Sequence, residues 1–177
     1  TKRLADELSS YDSEKKLLLL RKCVDKLSKH DNPVNVFRFI DYEAEFVLSE
    51  ACWHQLLRHR KVKWIIKEPG ICHGITVPPN IEASGAKHLL LEAIEISENL
   101  YRRLLKENMK SEAGYVVTNA HNRCVLGRFD LWELYHLINL RMSEAAQWDI
   151  KDVIGKLAEK IKSIHPDLVQ PALLRLD

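Results

Sequence analysis

Glycine is scarce in this chain, with six in 177 residues. No G-x-G-x-x-G and no Walker-type loop is present, so a Rossmann or P-loop mode of phosphate binding finds no support. Any nucleotide must then be held by side chains, and basic ones are the natural choice. Long apolar runs are missing too. Leu17 to Leu20 is a four-residue stripe, whereas a membrane span needs about 20 residues. Cys23, Cys52, Cys72 and Cys124 show no paired spacing, which predicts reduced thiols in a cytoplasmic protein. Neither His-x-x-x-His nor Cys-x-x-Cys occurs, and the adjacent Cys72-His73 is read as structural or surface, so no metal site is expected. One dominant charge is lacking as well: 27 basic against 25 acidic residues gives +2, too weak to argue for nucleic acid or membrane by itself. No signal peptide, internal repeat or low-complexity linker is visible in these residues. The start at Thr1 without Met reads as a trimmed or processed chain, or a fragment of a longer one.

What is present is a globular composition, 46% hydrophobic and 29% charged. The length suits a single domain over residues 1–177. Leu17, Leu20, Val24 and Leu27 predict a helix over Ser13 to Lys29, capped by Asp12 or Ser13 and ended by His30-Asp31-Asn32-Pro33. Val34 to Phe46 alternates as a strand, with Asp41, Glu43 and Glu45 on its polar side. A helix over Leu48 to Arg60 follows, then an irregular or extended stretch from Trp64 to Val77. Ala86 to Glu107 reads as a long amphipathic helix with Leu90, Ala93, Ile94, Leu100 and Leu104 inward. Ser111 to Thr118 suggests a short helix and Arg123 to Phe129 a strand. Asp130 with Glu133 opens a helix to about Arg141, resembling a capping box. A final helix over about Ser143 to Ile164 carries Ile150, Val153, Ile154, Leu157 and Ile161, and Pro166 and Pro171 punctuate a ragged tail. The predicted class is mixed α/β of the α+β kind, helix-rich, with a small antiparallel sheet.

The densest polar feature is His54-Gln55-Leu56-Leu57-Arg58-His59-Arg60. Cations at a helix C-terminus complement the macrodipole, and a solvated helix end is the ordinary reading. On a helix, however, Arg-His-Arg would fan over most of the circumference, so one side chain must face the protein or a ligand. His54 and Arg58 would share a face, as would Gln55 with Arg58 and His59. Cys52 beside Trp53 reads as packing rather than as a nucleophile. Arg141 ends an apolar helix, and an Arg between core helices needs an anionic partner. That partner is Glu144, Asp149, or a ligand phosphate or carbonyl.

Four segments together resemble the flavin-dependent thymidylate synthases, also called thymidylate synthase complementing proteins. His30-Asp31-Asn32-Pro33 is similar to the family's His-Glu-Ser-Pro. His54 to Arg60 resembles its His-Gln-x-x-Arg-His-Arg, and Thr76-Val77-Pro78-Pro79 resembles its Pro-Pro helix entry. Leu134 to Arg141 followed by Ala146-Gln147-Trp148-Asp149-Ile150 resembles its Leu-Leu-His-Phe-x-x-Leu-Arg and Ala-Gln-Trp-Glu-Ile run. The likeness covers roughly residues 15 to 165. It implies a homotetramer binding FAD between subunits, with NADPH as reductant and a methylene passed from methylenetetrahydrofolate to dUMP. By that resemblance Arg58, His59, Arg60 and His136, with His30 nearby, would contact FAD. Gln55 and Arg141 would stand on the pyrimidine-nucleotide side.

The chain also departs from the family. After Arg-His-Arg the family continues x-x-Ser-x-Asn-Glu-x-Ser-x-Arg-Tyr. Here those places hold Lys63, Ile65, Ile66, Glu68, Gly70 and Ile71. The Ala-Arg pair that helps hold the dUMP phosphate reads Ala113-Gly114, and the flavin-side Asn is Asp130. Losing two arginines and gaining Glu68 should weaken a phosphate site by kcal/mol amounts. No catalytic residue is therefore assigned. Three readings remain open. One is a working, divergent synthase. Another is a family fold with decayed catalysis that binds flavin or another nucleotide, or serves as a structural half of a larger chain or hetero-oligomer. The third is a nucleic-acid module using Arg58, Arg60, Lys61, Lys63 and Lys67 with Trp64 as stacking platform.

Overall fold

The computed structural model describes residues 2–25, 27–28, 31–174 and 176, the side chains of Lys2, Leu4 and Ala5 excepted. As expected, the class is helix-rich α+β with a small antiparallel sheet. The chain divides into two compact units, residues 1–41 with 130–177 and residues 42–129. Among the described residues no helix is long and apolar enough to cross a membrane.

The first unit is helical. Helix α1 spans Lys2–Ser9 and α2 spans Ser13–Val24. Of the two predicted candidates Asp12 caps α2, accepting the Lys15 amide at 2.7 Å. The helix stops at Val24, short of the predicted Lys29. Residues Asn35–Phe39, predicted as the start of a strand, form a 3-10 turn instead. The apolar run there does not alternate in burial: Phe37 is buried while Val36 and Phe39 are exposed. Phe37 packs against Tyr135 with ring centroids 5.7 Å apart.

Helix α7, Leu131–Arg141, begins at Asp130, whose carboxylate accepts the Glu133 amide at 2.7 Å. Helix α8 spans Trp148–Ile164 and starts five residues later than predicted. Its Ile150, Ile154, Leu157 and Ile161 are buried as the spacing required. The tail predicted to be ragged is helix α9, Pro166–Leu173. Pro166 sits in its first turn, where no amide donor is needed. Burial of Leu168, Val169 and Ala172 outweighs the helix bond that Pro171 cannot make. The Tyr135 hydroxyl donates to the Leu168 carbonyl at 2.8 Å, tying α7 to α9.

The second unit holds the sheet. Strand β1 covers Asp41–Ser49 and β2 Lys63–Ile66, while β3 spans Asn122–Asp130 at the centre, in the order β1-β3-β2. Asp41, Glu43 and Glu45 are exposed on β1, as the alternation implied. Strand β2 pairs antiparallel with β3, Lys63 opposite Arg128 and Ile65 opposite Leu126. Trp64 lies across Gly127, where an added Cβ would come 2.5 Å from the indole. Trp53 meets Trp64 edge-on at 5.2 Å, and Phe46 lies 5.8 Å away.

Helix α3 is Glu50–Leu56, shorter at both ends than the predicted Leu48 to Arg60. Short helices α4, Pro79–Ala83, and α6, Lys110–Ala113, flank the long α5, Lys87–Lys106. Within α5, Ile94 is buried and Leu90 and Leu104 are half-buried, whereas Ala93 and Leu100, predicted inward, are exposed. The predicted helix over Ser111 to Thr118 is only α6 and one 3-10 turn, Gly114–Val116.

A knot of polar groups fixes the start of α3. Its first amides would otherwise lack partners. The Glu50 amide donates to the His121 carbonyl at 2.9 Å and the Ala51 amide to the Asn119 carbonyl at 3.1 Å. The Cys52 amide donates to the Ser49 hydroxyl at 3.0 Å. Glu50 is buried and accepts from Arg123 Nε at 2.8 Å. Arg123 Nη1 also donates to the Lys67 carbonyl at 3.1 Å, and the guanidinium lies 5.7 Å from the Trp53 ring. His121, fully buried, accepts the Thr118 amide at Nδ1, 3.0 Å. The neutral ring's proton is therefore on Nε2, 3.8 Å from Glu98 Oε1. Burial pushes the His121 pKa down, against the upward pull of the Glu98 and Glu50 carboxylates.

Three outcomes follow from this packing. Gly127→Ala should lower stability by about 1–3 kcal/mol, since the methyl overpacks the indole. Urea unfolding followed by tryptophan emission measures it, and a neutral variant would mean Trp64 is not held against the strand. Arg123→Ala strands a buried carboxylate and should cost about 3–5 kcal/mol; a loss under ~1 kcal/mol would contradict the knot. His121 is held neutral, so below about pH 6.5 the unfolded chain binds the proton first and stability falls with pH. His121→Asn keeps an acceptor for Thr118 and should flatten the change in urea midpoint between pH 7.5 and 5.5. Equal slopes in the two proteins would show that His121 protonates without penalty.

Candidate functional site

The Arg-His-Arg block does not lie on a helix. Helix α3 ends at Leu56, and residues 57–61 form a tight turn into β2. The Leu57 amide still bonds the Trp53 carbonyl at 2.8 Å, but the His59 amide shortens to Leu56 at 3.0 Å and the Val62 amide to His59 at 3.1 Å. Leu56 and Val62 are both buried and pin the two ends of the turn. The consequence is an alternation rather than a fan. His59 is 4% exposed, whereas Arg58 and Arg60 point into solvent. Neither arginine forms an ion pair among the described residues. Two unneutralised guanidiniums two residues apart, beside the exposed Lys61, form a compact positive surface suited to bidentate contact with phosphate oxygens. Gln55 is half-buried and His54 exposed, both on the last turn of α3. The shared helical face expected for His54 and Arg58 is not formed, because Arg58 is past the helix end.

His136 and Arg141 belong to the other unit, on α7. His136 is exposed and stacks on Trp132 with ring centroids 6.3 Å apart and planes 28° from parallel. On the same indole, Arg38 places its guanidinium carbon 4.5 Å from the ring centroid. Trp132 is thus flanked by one cation and one imidazole, an arrangement in which cation–π attraction orients Arg38. Sequence reasoning missed Arg38 and Trp132. The available signal was Arg38 as the one polar residue within Val36-Phe37-Arg38-Phe39-Ile40. Arg141 is half-buried in the last turn of α7, where it complements the helix dipole. His30 lies outside the described residues.

The positions that depart from the family pattern have a clear local structure. Lys63, Ile65 and Ile66 form edge strand β2, with Ile65 67% and Ile66 46% exposed. Glu68 is exposed, while Gly70 and Ile71 are half-buried. Ala113 is buried at the end of α6 and Gly114 follows it in the 3-10 turn. Trp64, expected as a stacking platform for bases in the nucleic-acid reading, is instead half-buried against Trp53, Phe46 and Gly127. Its face is therefore occupied by protein. Cys23, Cys52, Cys72 and Cys124 are free thiols, and burial together with Glu45 holds the Cys124 thiol above its usual pKa.

Known proteins of one family are similar to this chain in sequence and in fold. The chain is 30% identical over 128 residues to the flavin-dependent thymidylate synthase of Sulfurisphaera tokodaii, covering 68% of this chain and 49% of that protein. It is 30% identical over 132 residues to that of Sulfolobus acidocaldarius, covering 71% and 50%. The chain thus spans about half the length of the curated relatives it matches. A crystal structure of thymidylate synthase X from Helicobacter pylori with FAD and dUMP has the same fold, with a TM-score of 0.70 at 20% identity over 97% of this chain and 90% of that one. The sequence model of the thymidylate synthase complementing protein family matches residues 2–167, and the chain belongs to that family.

Proposed function

We propose that this protein is a flavin-binding member of its family whose dUMP-binding and catalytic half has degenerated. One observation carries the reading: the turn at residues 58–60 keeps two exposed guanidiniums, while the segment directly after it is an apolar edge strand. Arg58 and Arg60 would bind the pyrophosphate of FAD, each through charge-assisted hydrogen bonds. Buried His59 would brace the turn, and His136 on its Trp132 stack would contact the cofactor as well. When bound, the flavin supplies redox capacity, with NADPH as the family's reductant.

The nucleotide side is weaker. Gln55 and Arg141 remain for the pyrimidine, and Arg141 could stabilise charge at a carbonyl. Lys63, Ile65 and Ile66 offer no hydroxyl, amide or carboxylate to position a substrate, and Glu68 repels a phosphate. Conversion of dUMP to dTMP is accordingly weak or lost, and the chain serves as a nucleotide-binding or structural subunit. The four free thiols fit a cytoplasmic location. Residues 1–177 act as one family domain, alone or within a longer chain, and associate as a homo-oligomer, a tetramer by family likeness, or with a second kind of chain.

Purified protein should quench the fluorescence of added FAD. Arg58→Ala should weaken that binding about 10- to 100-fold, the loss of a charge-assisted hydrogen bond of about 1.5–3 kcal/mol. No quenching at tens of micromolar protein would sink the flavin reading, and undiminished binding by the variant would remove Arg58 from it.

A further inference from the structure

His121 is fully buried, and its two ring nitrogens are in opposite situations. Nδ1 is crowded with donors: the Thr118 amide lies at 3.0 Å and the Thr118 hydroxyl at 2.9 Å. Nε2 carries the proton of the neutral ring and has no hydrogen-bond partner among the described residues. Glu98 Oε1 on α5 is 3.8 Å from it, close enough to attract and too far to bond. A buried donor left open is uncommon and costs free energy. The ring is held toward one neighbour and falls short of another.

The neighbour that holds it is the turn at residues 118–121, closed by the His121 amide on the Thr118 carbonyl at 3.1 Å. Carbonyls of this turn serve the rest of the unit. Those of Asn119 and His121 take the Ala51 and Glu50 amides at the start of α3, at 3.1 and 2.9 Å, and that of Ala120 takes the Thr76 amide at 2.8 Å. The Nδ1 bond therefore heads a chain of contacts from imidazole to turn to α3. Seven residues of helix then lead to the cationic turn at residues 58–60.

Protonation reverses the roles of the two nitrogens. A proton on Nδ1 can be accepted by the Thr118 hydroxyl, which rotates to offer a lone pair. The Thr118 amide cannot rotate. Its N–H then points at another N–H, and that bond is lost. Nε2 of the charged ring is drawn toward Glu98, which meets Arg102 through Oε2 at 2.6 Å and leaves Oε1 facing the ring. The other charged groups facing the ring are Glu50 from α3 and Arg123 from β3, and they are paired with each other at 2.8 Å. Across the bridge from His121 stands Ile75, which has no charge.

We propose that His121 is a proton-operated latch. Neutral, it holds the 118–121 turn against the start of α3; charged, it shifts toward Glu98 and releases α3 and the cationic turn. The effect on the cofactor rests on the flavin reading of Arg58 and Arg60, whereas the release of α3 does not. The sign sets the latch apart from simple electrostatics. Protonation of exposed His54 adds positive charge near Arg58, and FAD keeps its charge in mild acid, so a site without a latch would bind FAD more tightly there. A latched site binds it more weakly.

Hydrogen–deuterium exchange of residues 49–57 tests this in the wild type, His121→Asn and Glu98→Gln, with FAD quenching read on the same samples. Between about pH 7.5 and 5, exchange in the wild type relative to His121→Asn should rise at least about threefold, and FAD affinity should fall by a similar factor. Asn offers the Thr118 amide an acceptor and takes up no proton, so FAD affinity of that variant should hold or rise. Glu98→Gln removes the carboxylate that favours the charged ring and should move the onset to lower pH. That shift reads the latch even where Asn leaves the turn loose at every pH. Exchange at residues 49–57 that follows pH equally in all three proteins would overturn the proposal. So would FAD affinity that rises in acid in the wild type as it does in His121→Asn. No FAD binding at any pH, with exchange still following His121, would fail the cofactor reading and leave the latch standing.

Discussion

The buried pair of Glu50 and Arg123 is the constraint on which the second unit depends. A carboxylate inside a small core is tolerable only when charged and hydrogen-bonding partners face it, and Arg123 provides both at 2.8 Å. Because Arg123 also holds the Lys67 carbonyl and lies over Trp53, one side chain links the start of α3, the end of β2 and strand β3. Carbonyls of Asn119 and His121 take the first two amides of α3, so the helix begins at one place in one direction. Its seven residues then deliver the chain to the turn that carries Arg58, His59 and Arg60. The position of the cationic turn is thus set from the far end of the helix.

Two demands meet in the residues after that turn. An edge strand that packs one face needs an aromatic or β-branched sequence, and Trp64, Ile65 and Ile66 satisfy it. A nucleotide site needs hydroxyl, amide and guanidinium groups with free lone pairs and protons. Packing has the stronger claim here: Trp64 fills the space over Gly127 that no side chain could share. The cationic turn is under no such conflict, since Arg58 and Arg60 are solvent-exposed and their loss would open no cavity.

Much of the architecture was legible in the sequence because periodicity and caps are local signals. Asp12, one of two candidates, and Asp130 cap α2 and α7, and the stripe from Ile150 to Ile161 is buried apart from half-buried Val153. The errors have physical causes. Residues 35–39 looked like a strand because they are apolar, but only Phe37 found a buried partner, in Tyr135. The end of α3 was misplaced because Arg, His and Leu all tolerate a helix; the turn is imposed by burial of Leu56 and Val62, a tertiary effect. The tail was judged by its prolines, although Pro166 occupies the one helical turn where proline is favoured. In α5, Ala93 and Leu100 lie on a second, exposed apolar face, and a sequence cannot say which of two apolar faces its own chain will cover. The motif residues were singled out by the family resemblance, whereas the contacts of Trp132 with Arg38 and His136 were not legible, since Arg38 and Trp132 are brought together only by folding.

The central claim is that a cofactor-binding turn has outlived the substrate site beside it. Calorimetric titration of dUMP into FAD-loaded protein tests it most directly. The account predicts no heat of binding at dUMP concentrations up to the millimolar range, with FAD remaining bound. A saturable signal with micromolar affinity would contradict it, and would mean that groups other than those of β2 still hold the nucleotide.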